Sequence, residues 1–386
     1  MTTYSLDPGA RPLAWAGRVA RAGLLAAAGL ATLSQARPAL ASQVWGVNPT
    51  DPVAPVLAQA HPGDTVLIEG MHGESVRVPA GVTLEGGPGA GFEFPTEPVV
   101  QIRGSGVHLR GLVIMTTASS GSVGAIDVPV GDATVIGCSV RGGAIGVSVE
   151  GTARATLAAC MLTGQSSDGI VLSGRSQSVV ANCRVRPSPA QRKQQDGPEI
   201  GISATGDSLA TIENDDILGT LGSAIQFAGS ARGSVTASHL HDGFDGIALW
   251  GTAAPALVQN TIVGNLGDGI SYHDRSAGRA QGNRCEHDRS GIVVADAATP
   301  ALIENVCQTD RNVGIEDWRD QASASVPALG ASVSSTPASQ RPETPARQQS
   351  VAPAAGQPAA TAAVEPLVPD SVPPSPGSFS GGVHGH

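Results

Sequence analysis

Asp168-Gly169-Ile170-Val171-Leu172, Asp245-Gly246-Ile247-Ala248-Leu249 and Asp268-Gly269-Ile270-Ser271-Tyr272 are variants of one pentapeptide. Each opens on an Asp-Gly turn signal and continues with apolar residues at alternate positions, the period of a strand and not of a helix. The same phase, a small residue followed by Ile or Val, recurs at Ile126, Val147, Ile170, Ile202, Ile225, Ile247, Ile270, Ile292 and Ile315. The steps are 21, 23, 32, 23, 22, 23, 22 and 23 residues. A unit of this length cannot bury an apolar face alone, so successive units must stack on one another.

Two further ladders run in phase with the first. Cys138, Cys160, Cys183, Asp215, Ser238, Asn260, Asn283 and Asn305 form one; Val140, Leu162, Val185, Ile217, Leu240, Ile262, Cys285 and Cys307, two residues further on, form an inward column at strand spacing. A third apolar run precedes them, as in Val135-Ile136, Val179-Val180, Leu257-Val258 and Leu302-Ile303. Three short strands per 22 to 23 residues, separated by Gly, Asn, Asp and Ser, describe a coil with three sides. Glycine, at 50 of 386 residues, supplies corners, and 3% aromatics suits a narrow aliphatic interior.

These units resemble the right-handed parallel β-helix repeat of pectate-lyase-like and polysaccharide-epimerase-like proteins. The resemblance rests on the Asp-Gly-Ile units, on Ile212-Glu213-Asn214 and Ile303-Glu304-Asn305, and on the opening segment Pro62-Gly63-Asp64-Thr65-Val66-Leu67, Glu74-Ser75-Val76 and Gly81-Val82-Thr83-Leu84-Glu85-Gly86. It implies an all-β, single-stranded right-handed parallel β-helix over residues 42–320. One such scaffold carries many functions. The family's enzyme signatures are incomplete here: Asp-Pro occurs at Asp7 and Asp51 without a following His, and Asn214-Asp215-Asp216 stands without the partners that a polygalacturonase needs.

Residues 1–41 read as an export signal, with Arg18 and Arg21 before an apolar run from Ala22 to Leu33 and a small-x-small site at Ala39-Leu40-Ala41. The expected location is periplasmic or secreted, with no membrane span once the signal is cleaved. Asp51-Pro52 signals a short cap helix through Ala60, Asp at its N-cap and Pro at N1. Residues 321–386, with eleven prolines between Pro327 and Pro376, lack apolar periodicity and are expected to be disordered. The formal net charge is -10, and the first 41 residues carry four Arg against one Asp, so the rest is more acidic still. That balance argues against nucleic acid as a partner. A monomer is expected.

The cysteines fall on stacked rungs about 4.8 Å apart with parallel Cβ directions, poor geometry for disulfides, and read as buried thiols. Stacked Asn260, Asn283 and Asn305 read as turn amides bonding along the stack. On the outer surface, Trp250, His273 and Trp318 follow the first ladder and offer faces for sugar rings. A second outward column holds Met161, Arg184, Asp216, His239, Thr261 and Arg284, with Arg186, His241, Asp242 and Glu286 as its neighbours. Arginine, carboxylate and histidine together suit neutralising a uronate and moving a proton. The long unit adds a loop, Pro187 to Pro198, with Arg192 and Lys193. The functional expectation is a noncatalytic exported module that binds polysaccharide or displays a rigid surface, using Trp250, His273, Trp318, Arg186, Arg192 and Lys193. The alternative is a lyase or epimerase of an acidic glycan, with Arg184, His239, Arg284 and Asp216 catalytic. No metal site or cofactor is assigned; Asp215 and Asp216 could contribute to a calcium site, which needs six or more oxygens.

Overall fold

The computed structural model describes residues 41–308 and 310–319; the expected leader up to residue 40 and the expected tail from residue 321 lie outside the described residues. The described chain winds through three parallel sheets of twelve, eleven and eleven strands, one strand per sheet in each coil. The first sheet begins at Val44–Val47 and ends at Ala301–Ile303. The second runs from Met71–His72 to Val306–Gln308, and the third from Val76–Val78 to Ile315–Asp317.

The ladders are vertical rows. In the third sheet Ile126 pairs with Val147, Val147 with Ile170, Ile170 with Ile202, and so on through Ile225, Ile247, Ile270, Ile292 and Ile315. In the second, Val140 to Cys307 pair in the same unbroken sequence. The 32-residue unit keeps register because its extra residues leave the stack between the second and third sheets. The small residue ahead of each isoleucine also has a reason: a Cβ on Gly269 would lie 2.5 Å from the Gly291 carbonyl oxygen of the next coil.

The corner between the first and second sheets is built identically along the stack. One left-handed residue (Gly137, Ala159, Asn182, Asn214, Ala237, Gln259, Gly282, Glu304) precedes each member of the Cys/Asp/Ser/Asn ladder. The ladder residue then points inward and bonds vertically. The Asn283 Oδ1 accepts from both the backbone N–H of Asn260 (3.0 Å) and its Nδ2 (2.9 Å), while the Asn260 Nδ2 also donates to the Val235 carbonyl. Asn283 and Asn305 repeat the pattern. Asp215 is the exception. Its Oδ1 accepts from the Cys183 N–H, but its buried Oδ2 has no partner, and burial pushes its carboxyl up to about 7. All five cysteines are free, four of them buried and Cys307 half-buried. Burial pushes the Cys138 thiol up to about 12, so it is inert packing volume.

Two local expectations are corrected. The cap helix is Val53–Gln59, with Pro52 and not Asp51 at its N-cap, and it lacks a local side-chain cap. Glu74, from the following coil, accepts the Val53 and Ala54 N–H groups, and Asp51 bonds Asn48 instead. Val53 and Leu57 bury their side chains in the core. The loop at Pro187–Pro198 contains a helix, Pro189–Gln194, fixed by reciprocal bonds between Ser188 and Gln191, a capping box.

Two stability predictions follow from this corner and this approach. Gly282→Ala meets no atom closer than 3.6 Å and adds only left-handed strain, so it should cost about 1 kcal/mol in denaturant unfolding. Gly269→Ala drives carbon against a backbone carbonyl and should cost about 2–3 kcal/mol or more; equal losses would contradict the stacking geometry. Asp215 gives the third. A carboxyl that is protonated more readily folded than unfolded withdraws stability as pH rises from about 3.8 to about 7. Asp215→Asn, supplying the amide found at Asn260, should flatten that slope and stabilise the protein by on the order of 2 kcal/mol at pH 8. The unfolding midpoints at pH 5 and pH 8 read it.

Candidate functional site

The outer face of the second sheet gathers the chemically able side chains. Strands Arg184–Arg186, Asp216–Leu218 and His239–His241 are stacked neighbours, with Arg184 opposite Asp216 and Asp216 opposite His239. Alternation sends the first and third residue of each strand outward. Asp216 is the centre. Arg186 reaches diagonally to its Oδ2, Arg184 Nε stands 3.9 Å away, His241 Nε2 is 3.0 Å from Oδ1, and His239 Nδ1 is 3.8 Å from Oδ1. The imidazoles of His239 and His241 stack at 4.2 Å, and Asp242 Oδ2 holds His241 Nδ1 at 2.9 Å. Partial burial would raise the Asp216 carboxyl, but hydrogen bonds from Arg186 and His241 and their charges outweigh it and hold it below the usual range. Burial, then the neighbouring His241, lowers His239.

Arg284 is in the same outward column but two coils beyond His239, past Thr261, and pairs with Glu286. It extends the charged face and does not join the Asp216 cluster.

Beside this face lies a groove of about 630 Å³. Pro187, Arg192, Gln195 and Asp196 of the long unit form one wall, and Gly219–Leu221, Asp242–Phe244 and Leu266 form the other. Leu221, Phe244 and Leu266 stand exposed on three successive coils, a short apolar stripe. Asp242 belongs to both groove and cluster, so the two are continuous. Lys193 is exposed on the same short helix as Arg192.

The aromatic residues stand elsewhere. Trp250 and His273 stack at 4.0 Å with ring planes 8° apart. They follow the third-sheet strands Asp245–Leu249 and Asp268–Tyr272, whereas the groove precedes those strands. Five strand residues, about 16 Å, separate the two corners. Trp318 also follows a third-sheet strand, three coils along from Trp250, and is 41% exposed. The expected sugar platform and the expected charged site are therefore two patches. Sequence reasoning placed Arg186, His241 and Asp242 beside the column of Asp216 and His239 but assigned no role to His241 and Asp242, because the bridge from Asp242 through His241 to Asp216 is a contact between coils that spacing alone does not give. It also missed the Leu221, Phe244, Leu266 stripe, although its steps of 23 and 22 match the ladders.

A family model described as a right-handed beta helix region matches residues 193–326. The chain is a right-handed parallel β-helix protein. The β-helix is similar to the crystal structure of a periplasmic alginate epimerase in a point-mutant form, at 15% identity and a TM-score of 0.50, over 70% of this chain and 71% of that one. It is also similar to the enzymatically active domain of tailspike protein 2 of bacteriophage CBA120, at 9% identity and a TM-score of 0.51, over 66% of this chain and 47% of that one. A third similar structure is the catalytic unit of a thermostable alpha-1,3-glucanase from Streptomyces thermodiastaticus, at 13% identity and a TM-score of 0.45, over 70% and 69%. At these identities the likeness shows the fold alone. No curated protein matches the sequence. Among the described residues, no helix is long and apolar enough to cross a membrane.

The cluster predicts its own titration. By NMR, His239 should titrate below the ordinary 6.5, and His241→Ala should move it upward by removing part of the cover and the electrostatic influence of the neighbouring imidazole. A midpoint that stays put in the variant would contradict the stacked arrangement.

Proposed function

We propose that this β-helix is an exported, noncatalytic module that binds an acidic polysaccharide along the outer face of its second sheet and the adjoining groove. The observation that carries the reading is their continuity. Arg184, Arg186, His239 and His241 pass through Asp242 into a trough bearing Arg192 and the Phe244 stripe. A linear polymer with one anionic group and one C–H-rich face per sugar finds both kinds of partner at rung spacing. Trp250, with one face backed by His273, offers a second sugar platform at another corner, with Trp318 three coils on. Export is supported by the leader read at residues 1–41. The named function of one similar structure, a periplasmic alginate epimerase, concerns a polysaccharide.

Binding is favoured over turnover because the charged groups are already paired. Both carboxylate oxygens of Asp216 are engaged, one by Arg186 and one by His241, and Arg284 is tied to Glu286. A lyase or epimerase is the second reading, and one observation favours it. His239 is half-exposed and held below its usual value, hence neutral at pH 7, beside Arg184 and Asp216. A neutral base next to a cation suits removal of a proton next to a uronate carboxylate.

A glycan array probed with the full chain, followed by product analysis on each hit, tests both. The expected result is retention of polyuronates without cleavage or change of sugar stereochemistry, with Arg186→Gln combined with Arg192→Gln weakening binding about tenfold or more. Turnover abolished by His239→Ala would move the assignment to the second reading; no polyanion retained would end the first.

A further inference from the structure

We infer that Asp216, His239 and His241 form a binding site for a divalent first-row transition ion such as Zn²⁺, on the outer face of the second sheet. Each residue offers one ligand atom, and the three all lie within 4.8 Å of one another, the one such group of three among the described residues.

The separations fit a shared ion. Two donors that each sit about 2.0–2.2 Å from a metal are about 3 Å apart at a right angle and about 3.4 Å apart at the tetrahedral angle. His241 Nε2 and Asp216 Oδ1 are 3.0 Å apart. His239 Nδ1, at 3.8 Å from the same oxygen, needs a small tilt of an imidazole whose side chain is 48% exposed. His239 and His241 share one outward face as alternate residues of one strand, and rung spacing of about 4.8 Å brings Asp216, from the coil before, beside them.

The surroundings are those of a supported ligand set. Asp242 Oδ2 stands 2.9 Å from His241 Nδ1; with the ion bound it accepts the Nδ1 proton and leaves Nε2 to ligate, in place of the hydrogen bond that Nε2 otherwise makes to Asp216 Oδ1. Histidine ligands commonly give their other ring N–H to a carboxylate, which fixes the tautomer and raises ligand basicity. Arg186 occupies Asp216 Oδ2 and leaves Oδ1 as a single-oxygen donor, and Asp216 and Asp242 balance the charges of Arg184 and Arg186. Two imidazoles and one carboxylate oxygen suit zinc, nickel, copper or iron(II), whereas calcium wants six to eight oxygens. Three protein ligands leave coordination positions open toward solvent, on the face where an external oxygen ligand can reach.

The full chain carrying His384→Ala and His386→Ala, which removes the terminal histidines as stray ligands, is titrated with Zn²⁺ by calorimetry, without sugar. One equivalent should bind; His241→Ala should weaken the affinity about 100-fold and Asp242→Asn about tenfold. These are surface positions, and circular dichroism melts confirm that each variant folds. Zinc X-ray absorption of the parent should count two imidazoles. Absence of a stoichiometric site, unchanged affinity in His241→Ala, or fewer than two imidazoles would overturn the inference. Because no sugar is present, this result stands apart from the glycan-array outcome.

Discussion

Coils in this molecule repeat in strict vertical register, and that single constraint governs both its interior and its surface. Parallel strands one rung apart place like positions about 4.8 Å from each other, so any property of one position becomes a column. Inside, columns of Ile, Val and Leu exclude water from a narrow core. At one corner a column of amides closes the hydrogen bonds that a left-handed bend leaves open, from Asn260 through Asn283 to Asn305. An unpaired polar group there is expensive, which is why Asp215, one member of that column, has its carboxyl pushed toward neutrality.

Register also converts scattered sequence into a surface. Arg184, Asp216 and His239 are 32 and 23 residues apart in the chain, yet they are successive rungs of one outward column. Extra length is tolerated where it leaves the stack, as in the helix Pro189–Gln194, which builds one wall of a groove without disturbing the rungs on either side. Rigidity then comes from the solenoid and specificity from what is hung on its corners.

The fold could be read from the sequence because the repeating signal is one-dimensional: Ile225, Ile247 and Ile270 lie one above another as their spacing requires. Features that depend on contacts between different columns could not. The diagonal contact of Arg186 with Asp216, and the bridge from Asp242 through His241 to Asp216, require knowing which column lies beside which. The cap helix began one residue later than its local signals suggested because its N–H groups are satisfied by Glu74, supplied by the next coil. The Ser188 to Gln191 capping box was a readable signal obscured by the assumption that a long insertion is a loop. The aromatic and charged residues were grouped by chemistry, and the width of the third sheet separates them.

Distances along one column are the sharpest measure of this architecture. Nitroxide labels on Thr134 paired with labels on Ser234 or on Arg279, in the outward column of the first sheet, span four and six coils. In-register stacking predicts separations near ~19 Å and ~29 Å in pulsed EPR, growing by about 4.8 Å per coil. Separations that fail to grow linearly with coil number would contradict it.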